Sequence, residues 1–284
     1  MRVCYLLGYP VGHSMSAVMH NAAFEELGLD YRYDLRGVSP ERLGSFMTGE
    51  MRDPTVRGAN VTIPHKLAVM EYLDEVDSEA LAVGAVNTIM NDDGRLKGYN
   101  TDGLGAIRAL EEAYGELEGV KAVIVGAGGA ARAIGYHLSI RASEITILNR
   151  TQDRAKELAA HLSSMPECKA SVEPSSLHRS ALEEALKEAE ILINTTPLGM
   201  TPDVDETPVD GSLIRPGTLV FDTVYNPLRT RLLREAEEAG ARTLSGLRML
   251  VYQGAAAFRL WTGLEPPVKL MIDVVTDVLG GEQG

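Results

Sequence analysis

Apolar residues fall along this chain in short continuous runs, separated by stretches where they recur every three or four positions. Val3 to Leu7 is the first run, and it ends in the turn-rich Gly8-Tyr9-Pro10-Val11-Gly12. A helix is expected next, capped by Ser14 or Ser16, with Ala17, Phe24 and Leu27 facing inward and Gly28 ending it. Strands are predicted at Tyr31 to Leu35 and Val56 to Thr62, with a helix from Pro40 to Thr48 between them. Asn87 to Tyr99 reads as a hairpin turning at Asp92-Asp93-Gly94, and a helix runs from Thr101 to Tyr114.

Beyond the polar Glu116 to Gly119 the pattern changes. Ala122 to Val125 is a buried strand, followed at once by Gly126-Ala127-Gly128-Gly129 and a helical stretch through Leu138. Ile145 to Leu148 is another strand. Thr151 to Leu162 places Ala155, Leu158, Ala159 and Leu162 at i, i+3, i+4 and i+7, one face of a helix. Strands near Ile191 to Asn194 and Leu219 to Asp222 continue the alternation, which implies an α/β fold with a parallel sheet and crossover helices. Leu247 to Leu279 is helical with a break at Glu265-Pro266-Pro267.

The 284 residues suggest two domains, at about 150 residues each. The formal net charge of −13 argues against a nucleic-acid partner and against a polybasic membrane-surface protein, while leaving room for an anionic small molecule in a local cationic pocket. Cys4 and Cys168 stand alone, so neither a disulfide framework nor structural zinc is expected and a reducing cytoplasm fits best. The six histidines never fall at a metal-binding spacing, and no metal site is expected. No apolar run approaches the roughly 20 residues that span a bilayer, and the N-terminus reaches Gly8, Pro10 and Gly12 too soon for a signal peptide.

Strand, Gly126-x-Gly128-x-x-Ala131, then helix is the pattern that lets a pyrophosphate settle on a helix N-terminus. A glycine turn also serves plain strand–helix packing, so the context on both sides carries the inference. At the end of the next strand an NAD enzyme needs a carboxylate for the ribose 2′-hydroxyl, whereas a 2′-phosphate needs a cation. Asn149-Arg150-Thr151 stands there, with Arg154 on the following helix. Cations at a helix start are disfavoured unless an anion arrives, so NADP is preferred.

Three further clusters sit where strands end or helices begin: Gly8 to Ser16 with His20-Asn21, Gly58 to Lys66, and Ala85 to Thr88 with Asn100 to Gly103. Taken singly, the serines are N-caps, Asn60 and Thr62 turn residues, Lys66 a solvated lysine and Asp102 a helix cap. Together they supply hydroxyls and amides for a polyol, and a lysine with an aspartate for proton transfer at a carbonyl or alcohol oxygen.

At this point the sequence resembles the shikimate dehydrogenase family, from Gly8 to Gly254. The resemblance rests on His13-Ser14-Met15-Ser16, GANVTIPHK (58–66), GAVNT (84–88), NTDG (100–103), VGAGGAARA (125–133), NRT (149–151) and NTTPLGM (194–200). Asp222 to Pro227 with Thr230, and Gly246 to Gly254, complete it. It implies that Ser14, Ser16 and Tyr225 hold a substrate carboxylate, and that Asn60, Thr62, Asn87, Asp102 and Gln253 bind ring hydroxyls or frame the pocket. Lys66 and Asp102 would be the catalytic pair. Gly126, Gly128, Gly129 and Ala130 would line the pyrophosphate turn, with Asn149, Arg150, Thr151 and Arg154 at the adenosine end. Thr195, Gly246 and Met249 would lie on the nicotinamide side. His13 and His65 read as structural.

The resemblance implies an α/β substrate domain, residues 1–101 plus 247–284, and a Rossmann-type NADP domain, residues 102–246, with a cleft between them that closes over the ligands. The expected reaction is reversible reduction of 3-dehydroshikimate to shikimate by NADPH. Which of Lys66 and Asp102 formally carries the proton stays open, as does a homodimer. The rivals are an enzyme that also oxidises quinate or uses NAD, and a ligand sensor without turnover.

Overall fold

Val3, Tyr5 and Leu7 pack into the core on one side of β1 (Arg2–Gly8), while Cys4 and Leu6 are buried outside that cluster, as a strand covered on both faces requires. The computed structural model describes residues 1–281; residues 282–284, the end of the expected substrate domain, lie outside them. The described chain divides into two compact units, Met1–Gly105 with residues 250–281, and Ala106–Met249.

In the first unit β1 is followed by α1 (Ser16–Glu26), β2 (Tyr31–Gly37), α2 (Leu43–Thr48) and β3 (Val56–Val61). Then come β4 (Glu75–Val76), α3 (Ser78–Val83), β5 (Thr88–Asp92) and β6 (Arg95–Tyr99). Among the described residues these strands form one sheet in the order β2-β1-β3-β5-β6-β4. The sheet is mixed: β2, β1 and β3 are parallel, whereas β5 runs antiparallel to both β3 and β6. The hairpin at Asp92 to Gly94 makes β5 and β6 antiparallel, with Asp93 and Gly94 both at positive φ. The parallel reading therefore holds for only part of this sheet.

α1 corrects two expectations. Met15 occupies its N-cap position without a side-chain cap, and the Ser14 hydroxyl instead accepts from the Ser16 N–H at 3.2 Å. Its buried face is Ser16, Met19, His20, Ala23 and Phe24, which leaves Ala17 half-buried. Gly28, at φ +61, ends the helix before Leu27 can turn inward, and Leu27 remains exposed.

The second unit begins within α4 (Asp102–Tyr114) and continues with β7 (Lys121–Val125), α5 (Gly129–Ser139), β8 (Glu144–Asn149), α6 (Gln152–Ser163) and β9 (Ser171–Ser176). α7 (Arg179–Leu186), β10 (Ile191–Asn194), β11 (Leu219–Asp222), α8 (Arg231–Glu238) and β12 (Arg242–Ser245) follow. All the pairings in the order β12-β11-β10-β7-β8-β9 are parallel. In chain order this is the doubly wound 3-2-1-4-5-6 arrangement, whose direction reverses between β7 and β10. Pro174 is tolerated in β9 because that strand pairs only with β8 and lies at the edge. α6 buries Ala155, Leu158, Ala159 and Leu162, as its period predicts.

α9 (Leu247–Thr262) carries the chain back to the first unit, and α10 (Val268–Gly281) follows the proline break. Trp261 of α9 is fully buried and donates its Nε1–H to the Ile89 carbonyl at 3.0 Å. A Cβ on Gly58 would lie 2.3 Å from both Trp261 Nε1 and Ile89 O, so only glycine lets the helix approach β3 this closely.

Candidate functional site

β1 and β3 run parallel, β5 returns antiparallel to β3, and Thr88 pairs with both Asn60 and Tyr99. That topology brings the ends of β1, β3 and β6 and the start of β5 to one edge of the first sheet. Ser14 and Ser16 follow β1, Thr62 and Lys66 follow β3, Asn87 precedes β5, and Asp102 follows β6 and opens α4. Gly8 and Thr62 are close enough that a Cβ on Gly8 would meet Thr62 Cγ2 at 2.3 Å.

Lys66 Nζ donates to Asp102 Oδ2 at 2.5 Å, and Asn87 Nδ2 donates to Asp102 Oδ1 at 2.9 Å. The Lys66 and Asp102 side chains are 14% and 6% exposed, so this is a largely desolvated ion pair at a surface edge. Asp102 thus spends both oxygens on side chains, although it opens a helix. The orientation of Asn87 follows from its partners, because the Thr101 backbone N–H can only donate and reaches Asn87 Oδ1 at 2.7 Å. The amide NH₂ must therefore face Asp102, together with Thr101 Oγ1 at 2.9 Å and Gln253 Oε1 at 3.2 Å.

Gln253 Nε2 donates to Leu250 O at 2.7 Å, which leaves it one further amide hydrogen. Asn60 is committed at both ends: Oδ1 accepts from Tyr33 Oη at 2.8 Å and Nδ2 donates to Thr88 Oγ1 at 3.1 Å. Ser14 Oγ donates to Ser16 Oγ at 3.1 Å. His65 is buried and bonds the Val38 carbonyl at 2.6 Å, whereas His13 is exposed. Thr88 and Thr101, which join Asn60 to Asn87 through their hydroxyls, lie within the clusters read from the sequence but carry no role there. The available signal was adjacency, since each stands next to a candidate residue, Asn87 and Asp102.

In the second unit Gly126 follows β7 at φ +113, and a Cβ there would lie 2.3 Å from Thr195 Oγ1. Thr195 follows β10 and donates both its N–H and its hydroxyl to Val125 O, at 2.9 and 2.7 Å. These two turns flank the point where the strand order reverses, where open α/β sheets bind ligands. Gly128 is the N-cap of α5, a Cβ on it would meet nothing within 4 Å, and the first turn of α5, with Gly129 and Ala130, carries no acidic residue. Open space over a positive helix terminus fits a pyrophosphate.

Asn149 ends β8 and its amide donates to the Thr151 carbonyl at 2.9 Å; Thr151 is the N-cap of α6. Arg150 and Arg154 are exposed beside it. Tyr225 follows β11 and is half-buried, Gly246 follows β12 with its N–H on Val224 O at 3.1 Å, and Met249 is buried in the first turn of α9. Among the described residues no cluster of three His, Cys, Asp or Glu could hold a metal ion, and no helix is long and apolar enough to cross a membrane.

Family models cover most of the chain. The shikimate dehydrogenase substrate binding domain matches residues 6–89, shikimate / quinate 5-dehydrogenase residues 108–208, and the shikimate 5′-dehydrogenase C-terminal domain residues 246–276. A shikimate dehydrogenase (NADP(+)) from Methanothermobacter thermautotrophicus is 49% identical over 276 residues, covering 96% of this chain and 95% of that one. A shikimate dehydrogenase crystallised with NADP+ superposes with a TM-score of 0.89 at 44% identity, over 98% of this chain and 96% of that one. The Thermus thermophilus enzyme, solved with NADP(H) and shikimate, gives 0.86 at 38% identity over 98% and 100%. The chain belongs to the shikimate dehydrogenase family.

Proposed function

We propose that this protein catalyses the reversible NADPH-dependent reduction of 3-dehydroshikimate to shikimate, an alcohol-oxidoreductase step of aromatic amino-acid biosynthesis. The observation that carries this reading is the Lys66–Asp102 pair at the end of the first sheet, with Asp102 held by Asn87, whose amide also reaches Gln253. A lysine and a carboxylate so placed serve proton transfer at a carbonyl or alcohol oxygen.

When bound, the dinucleotide supplies the hydride, or accepts it in the reverse direction. Lys66 Nζ gives a proton to the substrate oxygen during reduction and recovers it during oxidation. Asp102 Oδ2 orients Nζ, and Asn87 fixes the carboxylate by holding Oδ1. The remaining amide hydrogen of Gln253 and the Thr62 hydroxyl serve the substrate's hydroxyls. Asn60, spent on Tyr33 and Thr88, frames the pocket instead of reaching into it. Ser14, Ser16 and Tyr225 take the substrate carboxylate.

In the second unit Gly126, Gly128, Gly129 and Ala130 take the pyrophosphate, Asn149, Arg150, Thr151 and Arg154 the adenosine end with its 2′-phosphate, and Thr195, Gly246 and Met249 the nicotinamide side. A reducing cytoplasm suits the free Cys4 and Cys168. A homodimer is the assembly to test, by sedimentation velocity. The deciding experiment is a steady-state assay of the purified protein with shikimate or quinate, each with NADP+ or NAD+. Highest kcat/KM with shikimate and NADP+ is expected. Binding of both ligands without turnover would instead make the chain a sensor.

A further inference from the structure

Asn194, Asp222 and Ser245 stand side by side at the carboxyl ends of β10, β11 and β12. The middle residue is a carboxylate with no exposed surface. Three donors converge on it: Thr230 Oγ1 at 2.6 Å, Asn194 Nδ2 at 2.9 Å and the Val224 N–H at 3.1 Å. Thr230 is also the N-cap of α8 and accepts from the Leu233 N–H, so its one hydrogen is free to go to Asp222. Burial pushes this carboxyl up to about 6 against the pull of the three donors, all of which it meets as an acceptor.

Two of these donors lead to turns that the proposed reaction uses. Asn194 Oδ1 accepts from the Thr196 N–H at 2.9 Å and from Thr196 Oγ1 at 2.7 Å, which closes the turn carrying Thr195. Because that N–H can only donate, Asn194 must aim its NH₂ at Asp222. Val224 lies immediately before Tyr225, and its carbonyl accepts from the Gly246 N–H at 3.1 Å. The Thr195 turn, the Tyr225 turn and the Gly246 turn are therefore tied to one buried carboxyl.

We infer that Asp222 is a positioning residue, which fixes the Thr195 and Tyr225 turns together through Asn194 and Val224 without itself touching either ligand. The inference rests on the roles proposed above for Thr195 and Tyr225. It explains why a carboxylate is kept in a strand end where a hydrophobic side chain would cost less to bury.

The test compares Asp222→Asn, Thr230→Val and Thr230→Ser with Leu186→Ala, a truncation elsewhere in the same unit's core. Steady-state kinetics with shikimate and NADP+ and thermal melts are measured for each. Asp222→Asn and Thr230→Val should raise both KM values about tenfold with a smaller change in kcat, the signature of lost ligand positioning. Thr230→Ser, which keeps the donor, should stay within about twofold of wild type, and Leu186→Ala should melt lower with neither KM moved. If Asp222→Asn does not fold, the Thr230 pair decides. KM values for Thr230→Val within about twofold of wild type, despite a lowered melting temperature, would overturn the inference alone. A wild-type protein inactive on shikimate would overturn the functional reading and the inference with it.

Discussion

Lys66 Nζ lies 2.5 Å from Asp102 Oδ2, and the other oxygen of that carboxylate is held by Asn87. A desolvated pair of this kind adds little net stability, because the cost of removing both charges from water offsets their attraction. Its retention at a strand edge is better explained by chemistry than by folding. The aspartate is fixed on two sides, whereas the lysine is the more exposed partner and the one free to meet a ligand.

Lys66→Ala should therefore lower kcat by about 10²- to 10⁴-fold, the usual contribution of a general acid–base group. NADPH affinity, read by titrating the nucleotide's fluorescence, should stay within about twofold of wild type because that ligand is assigned to the other unit. Near-normal turnover in this variant would remove Lys66 from the mechanism.

Arg150 and Arg154 are exposed beside Asn149, and no acidic residue ends β8. Hydrogen bonds from charged donors are worth about 1.5–3 kcal/mol each, or roughly ten- to a hundredfold in affinity. Replacing both arginines with leucine should raise KM for NADP+ by at least about tenfold and change KM for NAD+ by less than about threefold. Raising the salt concentration should weaken NADP+ binding in the wild type more than in the double variant, since the variant lacks the screened charges. An equal rise in both KM values would place the arginines away from the 2′-phosphate.

His20 bears on stability. Its ring lies flat against Tyr33, with centroids 4.5 Å apart, and Trp261 is tilted toward it at 5.3 Å. It is fully buried, and neither ring nitrogen has a hydrogen-bond partner. Burial pushes the imidazole down from 6.5 to about 3, and the neighbouring Asn60 amide opposes this only in part. The folded protein thus keeps His20 neutral, while the unfolded chain takes up a proton near pH 6.5. The contribution is complete above that pH and is lost as pH falls toward about 3. His20→Phe should flatten the acid side of the stability profile, read by denaturant melts followed through Trp261, the chain's single tryptophan. Parallel acid limbs for the two proteins would show that His20 is not the group responsible.

The period of α6, the hairpin at Asp92 to Gly94 and the strand–glycine–helix turn at Gly126 were legible because each is a local pattern. Its residues specify the conformation whatever surrounds them. β4, α3, β9, α7, α8 and β12 were not foreseen, and for different reasons. β4 is two residues long, β9 contains Pro174, and α7 buries only Leu182 and Leu186, too few positions to establish a period. The Lys66, Asn87 and Asp102 cluster was named residue by residue, but its internal order was not. That order depends on the Thr101 N–H fixing the Asn87 amide, a bond between segments that the mixed sheet brings together. Asp222 stood in a quoted motif, but its role was hidden for the same reason, since its donors are Asn194, Val224 and Thr230.

Gly126 and Gly128 allow folding and cofactor binding to be separated. At Gly126 the backbone is at φ +113 and a Cβ would lie 2.3 Å from Thr195 Oγ1, so Gly126→Ala strains the turn and displaces a neighbour. It should lower the melting temperature and weaken NADP+ binding together. Gly128 has no neighbour within 4 Å of an added Cβ, and its φ of −90° suits any residue. Gly128→Ala should melt within about 2 °C of wild type, a change of about 1 kcal/mol or less. The added methyl group would nonetheless occupy the open space over α5, so KM for NADP+ should rise at least about tenfold. If Gly128→Ala melts normally and binds NADP+ normally, the pyrophosphate does not lie against this turn. A matched loss of stability in both glycine variants would instead make the turn a packing device, as a strand–helix junction can be.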